Sequence, residues 1–226
     1  MKKMFVFVFA AILFANIAMA DSIADKWGIT GRIGTNYVYE SEFSGAAIGG
    51  WGVNKDIPAG WGFTGGAGLM YGIKDNVAVY FDVTYDQFNI KANPKGQAEQ
   101  TVGTVKMIDF TVGAQWRFMP KKAFVPYIGA GLDFMINRFG FNDEYSDGSD
   151  MEADNTYGGH LSFGADYFLT PNIALNAEIR GVYGTKGNII RKYPGEQDVV
   201  AADYNPTNIS GFVGVRFFAK LHNRFE

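Results

Sequence analysis

The feature that most constrains this chain is an alternation of side-chain character with a period of two, which recurs in eight segments. Because successive side chains of a β-strand point to opposite faces, each segment predicts a strand with one apolar and one polar face. In the segment 173–183, for example, Ile179 lies on the apolar face and Arg180 on the polar face. The eight predicted strands have the approximate limits 27–39, 61–72, 77–88, 106–118, 125–137, 157–169, 173–183 and 209–218.

Away from the segment ends, the charged side chains all lie on the polar faces. These faces carry arginine, aspartate and glutamate among small residues, and no lysine lies in the middle of a segment. A strand face exposed to water usually carries lysine and glutamate, so this composition favours a narrow interior with paired charges. The apolar faces must then point outward, into lipid. The charged positions are Arg32, Asp82, Asp86, Asp109, Arg117, Asp133, Asp166, Glu178, Arg180 and Arg216.

The connections between the predicted strands alternate in length. The short ones lie near 73–76, 119–124 and 170–172, and the others are much longer. Barrels of outer membranes have short periplasmic turns and long extracellular loops, with aromatic residues concentrated at both strand ends, as they are here. We therefore predict an all-β, eight-stranded antiparallel up-and-down transmembrane β-barrel. Its eighth strand closes on the first, because lipid does not tolerate an unpaired strand edge.

Residues 1–20 have the composition of a secretory signal peptide. Lys2 and Lys3 precede an apolar run that ends in the small-x-small sequence 18–20. We expect cleavage after Ala20, a barrel domain over 21–226, and localisation in the outer membrane of a Gram-negative type envelope. The last residues, 219–226, follow the aromatic pair that should end the barrel. They are either a short periplasmic extension or carry a displaced assembly signal, and both alternatives stay open.

Composition excludes several classes of function. The chain has no cysteine and two histidines, which excludes disulfides, thiol nucleophiles and cysteine-based zinc sites. A net charge of −3 leaves no basic surface for a phosphate backbone, so nucleic acid is not an expected partner. We expect no cofactor, no enzymatic activity and a monomer.

The ten interior charges are the first candidate functional set. An eight-stranded barrel is barely wide enough to hold its own side chains, so these charges must pair or stay hydrated. Depth along the strands places Arg32, Asp82 and Glu178 near mid-barrel. Inward glycines such as Gly129 and Gly131 are expected to leave some room. The interior is either a structural plug of salt bridges or a gated conduit lined by the same residues.

A catalytic interpretation rests on His160 and Ser162, which share a strand face, with Glu178 on the next predicted strand. These are the residue types of an acyl-transfer triad. The pair resembles the His-x-Ser pair of lipid A deacylases, but Phe163 follows where that family has asparagine. We expect the pair to face the lumen, and a polar lining of the outer rim is the favoured interpretation of His160.

Two long connections carry further candidates. Asp143, Glu144, Asp147 and Asp150 form an acidic run whose oxygens suit Ca²⁺ or Mg²⁺, although a solvated charge run is the more usual meaning and we predict no metal site. The first long connection is unusually apolar. Its residues Ile48 and Trp51 are candidates for a ligand contact or a gate over the barrel mouth, with packing against neighbouring loops as the alternative.

Several motifs in the second half of the chain resemble the OmpW family, within the OmpA-like and OmpX-like superfamily of small eight-stranded outer membrane barrels. They are Gln115-Trp116-Arg117-Phe118, the run 125–131, Gly140-Phe141-Asn142-Asp143, the run 164–169, Leu175-Asn176 and Gly214-Val215-Arg216-Phe217. The resemblance implies a channel for small hydrophobic molecules with lateral escape into the membrane. Ten desolvated charges fit that function poorly and resemble the filled interior of the OmpA-like and OmpX-like barrels.

We therefore predict the passage of small, hydrophobic solutes across the outer membrane, which the resemblance to the OmpW family implies. The alternative is a filled barrel that acts as a structural, adhesion or surface-recognition scaffold through its four long loops. The expected partners are outer membrane lipid and lipopolysaccharide, a small apolar solute, and, during biogenesis, periplasmic chaperones and the barrel assembly machinery.

Overall fold

The computed structural model describes residues 22–39, 41–42, 56–57, 60–92, 100–141, 150–192 and 197–220. Eight strands form one closed barrel in which all neighbours are antiparallel. They are β1 (Trp27–Val38), β4 (Gly60–Lys74), β5 (Val77–Ala92), β6 (Gln100–Arg117), β7 (Phe124–Phe141), β9 (Thr156–Thr170), β10 (Ile173–Gly184) and β13 (Asn208–Ala219). The predicted fold class is confirmed. The predicted signal peptide lies outside the described residues.

The barrel closes between its first and last strands. β1 pairs with β13 over its whole length, from Trp27 opposite Ala219 to Val38 opposite Asn208. β1 also pairs with β4 on its other side. Each barrel strand therefore has two hydrogen-bonded neighbours, which removes the unpaired edges that lipid does not tolerate. In the described part of the chain, no helix is long and apolar enough to cross a membrane.

The apolar faces of the strands point outward and the charged faces point inward. In β10 the exposure alternates at every residue, so that Ile179 is 58% exposed while Arg180 is 2% exposed. The same inversion holds around the barrel, where Leu132 and Val213 are largely exposed and Asp133 is buried. This arrangement suits a barrel whose outer surface is in contact with lipid rather than with water.

One end of the barrel has short turns and the other has long connections. We call these the turn end, defined by the connections 75–76, 118–123 and 171–172, and the loop end. The strands β5, β6 and β7 are 16, 18 and 18 residues long and reach past the predicted limits at the loop end. A tilted strand needs only about 9 to 11 residues to cross the hydrocarbon core. Beyond that depth the lipid no longer imposes an apolar face, so the alternation fades while the backbone ladder continues.

The long connections also contain strands, which the sequence patterns did not predict. A three-stranded sheet has the order β12 (Val199–Tyr204), β11 (Gly187–Lys192) and β8 (Asp150–Ala153), and a small hairpin joins β2 (Ser41–Glu42) to β3 (Asp56–Ile57). These strands are short and lack strict alternation. Their pairing depends on neighbouring connections and not on a local pattern.

Candidate functional site

All ten predicted interior charges lie inside the barrel. Each of these residues is at most 6% exposed, and Asp166 is completely buried. They follow the inward register of their strands, as the alternation predicts. The interior contains two groups of ion pairs and a third group of aspartates, which follow one another from the turn end to the loop end.

The middle group closes the lumen from wall to wall. Arg180 on β10 donates to Asp82 on β5 at 2.7 Å. These two strands are four places apart in the closed order of eight, so they form opposite walls. Arg32 adds two ion pairs beside this contact, with Asp82 at 2.7 Å and with Glu178 at 3.2 Å. The arginine and carboxylate side chains thus meet in the centre of the barrel.

The second group lies nearer the turn end and is centred on one carboxylate. Asp166 accepts hydrogen bonds from Arg117 and Arg216, each at 2.7 Å. The ring of Tyr127 lies within 5.8 Å of both guanidinium carbons, which gives the two cations an aromatic neighbour. A further inward side chain, Asn176, donates to Asp166 at 2.8 Å.

Neutral side chains join the two groups of ion pairs. The Tyr127 hydroxyl donates to Glu178 at 2.9 Å and accepts a hydrogen bond from Asn176 at 2.9 Å. On the loop-end side, Thr111 lies 3.4 Å from Arg180 and 3.0 Å from Asp133. One continuous network of hydrogen bonds and ion pairs therefore includes every predicted interior charge except Asp86. We call this set the lumen network.

Three aspartates at the loop-end side have no arginine partner. Among the described residues, no arginine or lysine nitrogen lies within 4 Å of Asp86, Asp109 or Asp133. Asp86 accepts a hydrogen bond from Asn36 at 2.8 Å, and Asp133 contacts His160 at 2.9 Å. The interior charge is therefore divided, with the guanidinium groups nearer the turn end and the carboxylates that have no arginine or lysine partner in the described chain nearer the loop end.

Apolar side chains close the interior at the turn end, and sequence reasoning missed this floor. The floor is a buried cluster of Ile23, Met70, Ala78, Tyr80, Val125, Phe168, Ala174 and Phe218. All but Ile23 stand at inward positions of their strands, so alternation was a signal that could have found them. Ile23 precedes the first strand, and no strand pattern points to it. Its burial to 1% exposed is a tertiary effect.

A second apolar cluster lies on the loop-end side of Asp109 and Asp133. Met107, Met135 and Val182 come from β6, β7 and β10 and are each at most 5% exposed. They stand closer to the loop end than Asp109, Asp133 and Arg180 on the same strands. The lumen network thus has an apolar cluster on each side along the barrel axis, and further buried polar side chains such as Asn36 and Asn137 lie at the loop end.

The inward glycines do not leave free room, contrary to the sequence expectation. A Cβ added at Gly131 would lie 2.6 Å from His160 Cε1, and one at Gly129 would lie 2.5 Å from Ser162 Oγ. A Cβ at Gly164 would meet the ring of Tyr127. Neighbouring side chains occupy the space that the missing side chains release, because the interior is close-packed.

The acyl-transfer arrangement is not formed. His160 Nε2 lies 2.6 Å from the Tyr80 hydroxyl, and its Nδ1 lies 2.9 Å from Asp133. Both ring nitrogens are thus engaged, while Ser162 Oγ has no hydrogen-bond partner in the described chain. The expected rim position of His160 is wrong, since this side chain is 4% exposed and belongs to the lumen network.

The candidates in the long connections are only partly described. Ile48, Trp51, Asp143, Glu144 and Asp147 lie outside the described residues. Asp150 begins β8 opposite Lys192 of β11, and its side chain is not described. In the same strand Glu152 contacts Lys192 at 2.7 Å. The described residues contain no group of three or more histidines and carboxylates arranged to hold a metal ion.

Comparison with known proteins agrees with this architecture. A family model described as the outer membrane protein beta-barrel domain matches residues 5–217. An outer-membrane protein of Sinorhizobium fredii, y4mB, is 27% identical over 115 residues, which are 51% of this chain and 48% of that protein. The chain thus matches about half the length of this relative.

Solved structures share the fold at low sequence identity. OprG of Pseudomonas aeruginosa has a TM-score of 0.64 at 16% identity, over 89% of this chain and 100% of that chain. The outer membrane protein AlkL, solved in lipid bilayers, has a TM-score of 0.57 at 17% identity, over 92% of this chain and 96% of that chain. Neisserial surface protein A has a TM-score of 0.52 at 21% identity, over 86% and 97%.

Proposed function

The chain belongs to the family of outer membrane protein beta-barrel domains, and from this premise we propose that its barrel is a filled, non-conducting scaffold that presents the loop end at the cell surface. The observation that carries the proposal is the ion pair between Arg180 and Asp82, at 2.7 Å across the lumen. A solute that crosses the barrel must separate this pair and the Arg32 contacts beside it.

Separating these charges without replacement is costly. Each buried ion loses hydration that only its partner compensates, and removing one partner of a buried pair typically costs about 3 to 5 kcal/mol. The apolar clusters on both sides of the lumen network add a second obstacle, because a charged or strongly polar solute would lose its hydration there. The interior therefore acts as a support for the wall.

The architecture of the loop end supports a display role. The strands β5, β6 and β7 extend beyond the length that a bilayer requires, and the β12–β11–β8 sheet adds ordered structure above the barrel. Ordered strands hold side chains in fixed positions, which favours recognition at low entropic cost. In this proposal the turn end faces the periplasm.

The surroundings of the protein form part of the same proposal. Outer membrane lipid and lipopolysaccharide contact the outward face of the barrel, which acts as a monomer. The barrel assembly machinery and periplasmic chaperones handle the chain during biogenesis. The observation that supports these partners is the set of large apolar side chains exposed around the outside of the barrel. So large an exposed apolar surface indicates contact with lipid or with a partner protein rather than with water.

The experiment is planar-bilayer conductance of the refolded chain, with a heat-dependent shift in gel mobility to show that the barrel has formed. We expect no discrete current steps from the wild type, while a general porin in the same bilayers gives steps. Arg32→Ala should also stay silent, because Arg180 still reaches Asp82. Discrete steps from the folded wild type would contradict the proposal.

A second candidate is the passage of small hydrophobic solutes, which the resemblance to the OmpW family implies. The observation that favours it is the pair of apolar clusters inside the lumen, Ile23 with its neighbours at the turn end and Met107, Met135 and Val182 toward the loop end. They offer an apolar solute compatible surfaces on both sides of the lumen network. Current steps in the wild type that a small apolar solute blocks would favour this function.

A further inference from the structure

The outward face of the barrel has an apolar recess between β6, β7 and β9. Its volume is about 350 Å³, which is closer to one lipid chain than to a whole lipid. The recess opens away from the lumen, toward the lipid. The apolar side chains that line it are Val77 of β5 and Ala114, Trp116, Ile128, Ala130, Leu161 and Phe163.

Strand register explains why the recess exists. Ala114 on β6 lies directly opposite Ala130 on β7, so two small side chains stand next to each other on the outward face. Trp116 lies opposite Ile128 one step toward the turn end. Large side chains thus border a place where only two methyl groups project from the outward face of the wall.

The recess lies at the depth of acyl chains. Ala114 stands four residues before Phe118, the first residue after β6, and four strand residues span about 13 Å. With the tilt of barrel strands this is roughly 10 Å along the membrane normal, within the turn-end half of a hydrocarbon core of about 30 Å. A chain in the recess therefore belongs to a lipid of the leaflet at the turn end.

The turn directly below the recess is cationic. The connection 118–123 joins β6 to β7 and carries Lys121 and Lys122, both exposed. Among the described residues, the one ion pair of these two lysines is the exposed contact of Lys121 with Asp75 at 3.5 Å. An ammonium group at the interface attracts a lipid phosphate, and the attraction is stronger for a headgroup with a net negative charge.

From this combination we propose that the recess and its turn form a binding site for an anionic phospholipid of the periplasmic leaflet. One acyl chain lies against Ala114 and Ala130, and the phosphate lies at Lys121 and Lys122. Lipopolysaccharide is not the occupant, because it belongs to the opposite leaflet when the turn end faces the periplasm. The site does not depend on whether the lumen conducts.

Trp116 borders the recess and reports on its occupant. We would keep it as the single tryptophan by replacing Trp27, Trp51 and Trp61 with phenylalanine in the full chain. The refolded protein is placed in phosphatidylcholine vesicles that contain a small fraction of chain-brominated phosphatidylglycerol or chain-brominated phosphatidylcholine. We expect the anionic lipid to quench Trp116 at least threefold more effectively at equal mole fraction.

Matched variants separate the two halves of the site. Ala114→Phe and Ala130→Phe each fill the recess and should remove the preference, whereas Ala67→Phe, also outward but on β4, should retain it. Lys121→Ala with Lys122→Ala should reduce the preference to near one, whereas Lys74→Ala with Lys220→Ala should retain it. Gel-mobility shifts show that each variant is folded.

The proposal fails if the wild type shows equal quenching by the two brominated lipids. It also fails if both phenylalanine variants in the recess keep the preference, since the chain would then lie elsewhere. If the Lys74→Ala, Lys220→Ala variant loses the quenching preference as fully as the Lys121→Ala, Lys122→Ala variant, the anionic lipid is attracted to the basic end of the barrel in general. That result would rule out a defined site.

Discussion

At the scale of single residues, the interior shows how a barrel tolerates many buried charges. Each arginine has at least one carboxylate partner, and Asp82 and Asp166 each serve two arginines. Buried charges are stable only when they are paired and hydrogen-bonded, and a single unpaired ion would cost more than the pair gains. Replacing a side chain that contacts several others should therefore destabilise the lumen network most.

Arg180 is such a side chain, and its replacement gives a prediction for stability. Arg180→Ala leaves Asp82 and Glu178 to share Arg32, and removes a bond that crosses the lumen. We expect the free energy of unfolding in urea, measured in phospholipid vesicles, to fall by about 3 to 5 kcal/mol. Arg138→Ala is the matched control, because that exposed arginine lies at the loop end, and we expect a change within about 0.5 kcal/mol. Equal unfolding curves for both variants would show that the network does not stabilise the barrel.

At the scale of elements, the short segment before β1 behaves as a strap under the barrel. Asp25 N donates to Gly72 O at 2.8 Å, and Gly72 N donates to Lys26 O at 3.0 Å. These bonds hold Ile23 in the apolar floor. Asp25 has a φ of 59°, a left-handed conformation that lets the strap turn sharply before β1 begins.

The strap should loosen in acid. The Ser22 hydroxyl hydrogen-bonds Asp75 in the turn after β4, and this bond, together with the nearby Lys121 ammonium, lowers the pKa of the Asp75 carboxyl. A lowered pKa stabilises the folded form above the usual carboxyl range near 4, and this contribution is lost as the pH falls through the lower folded value. We expect hydrogen-exchange protection of the Asp25 amide, corrected for intrinsic rates, to decrease below about pH 4.

Asp75→Ala tests the cause of this pH dependence. The variant lacks the carboxylate that holds Ser22, so its Asp25 amide should already exchange faster at neutral pH and show no further loss in acid. Unchanged protection in Asp75→Ala would show that the backbone bonds to Gly72 hold the strap without the carboxylate.

At the scale of the whole molecule, the barrel and the sheet above it depend on different contacts. The eight barrel strands form a closed ladder in which each strand has both neighbours. The β12–β11–β8 sheet is built from the long connections and, among the described residues, its strands pair with one another and not with the barrel strands. Stability should therefore reside in the barrel, and the sheet should be a separable addition.

Replacing residues 187–204 with a short turn tests this separation. The residues on either side of the deleted stretch continue from neighbouring strands, because Val182 on β10 lies opposite Asn208 on β13. A short turn can therefore join them. We expect the shortened protein to refold, to keep its heat-dependent gel shift and to unfold at nearly the same urea concentration. Failure to refold would show that the sheet is needed to form the barrel.

The sequence by itself determined the faces, the number of barrel strands and the set of interior charges. These are local properties, because the direction of each side chain follows from its place in an alternating strand. Lipid outside and packed polar groups inside then allow one orientation of each face. The extensions of β5, β6 and β7 were not predictable in the same way, since beyond the membrane no apolar face is required.

Only the tertiary structure decided which charges meet and which space is filled. Arg180 and Asp82 are 98 positions apart in the chain, and their contact depends on the stagger of all eight strands and on closure of the barrel. The same closure brings His160 to Tyr80 and Asp133, fills the space at Gly131, and buries Ile23 beneath the lumen. Distances across a lumen are set by every strand pairing together, and a local pattern contains no information about them.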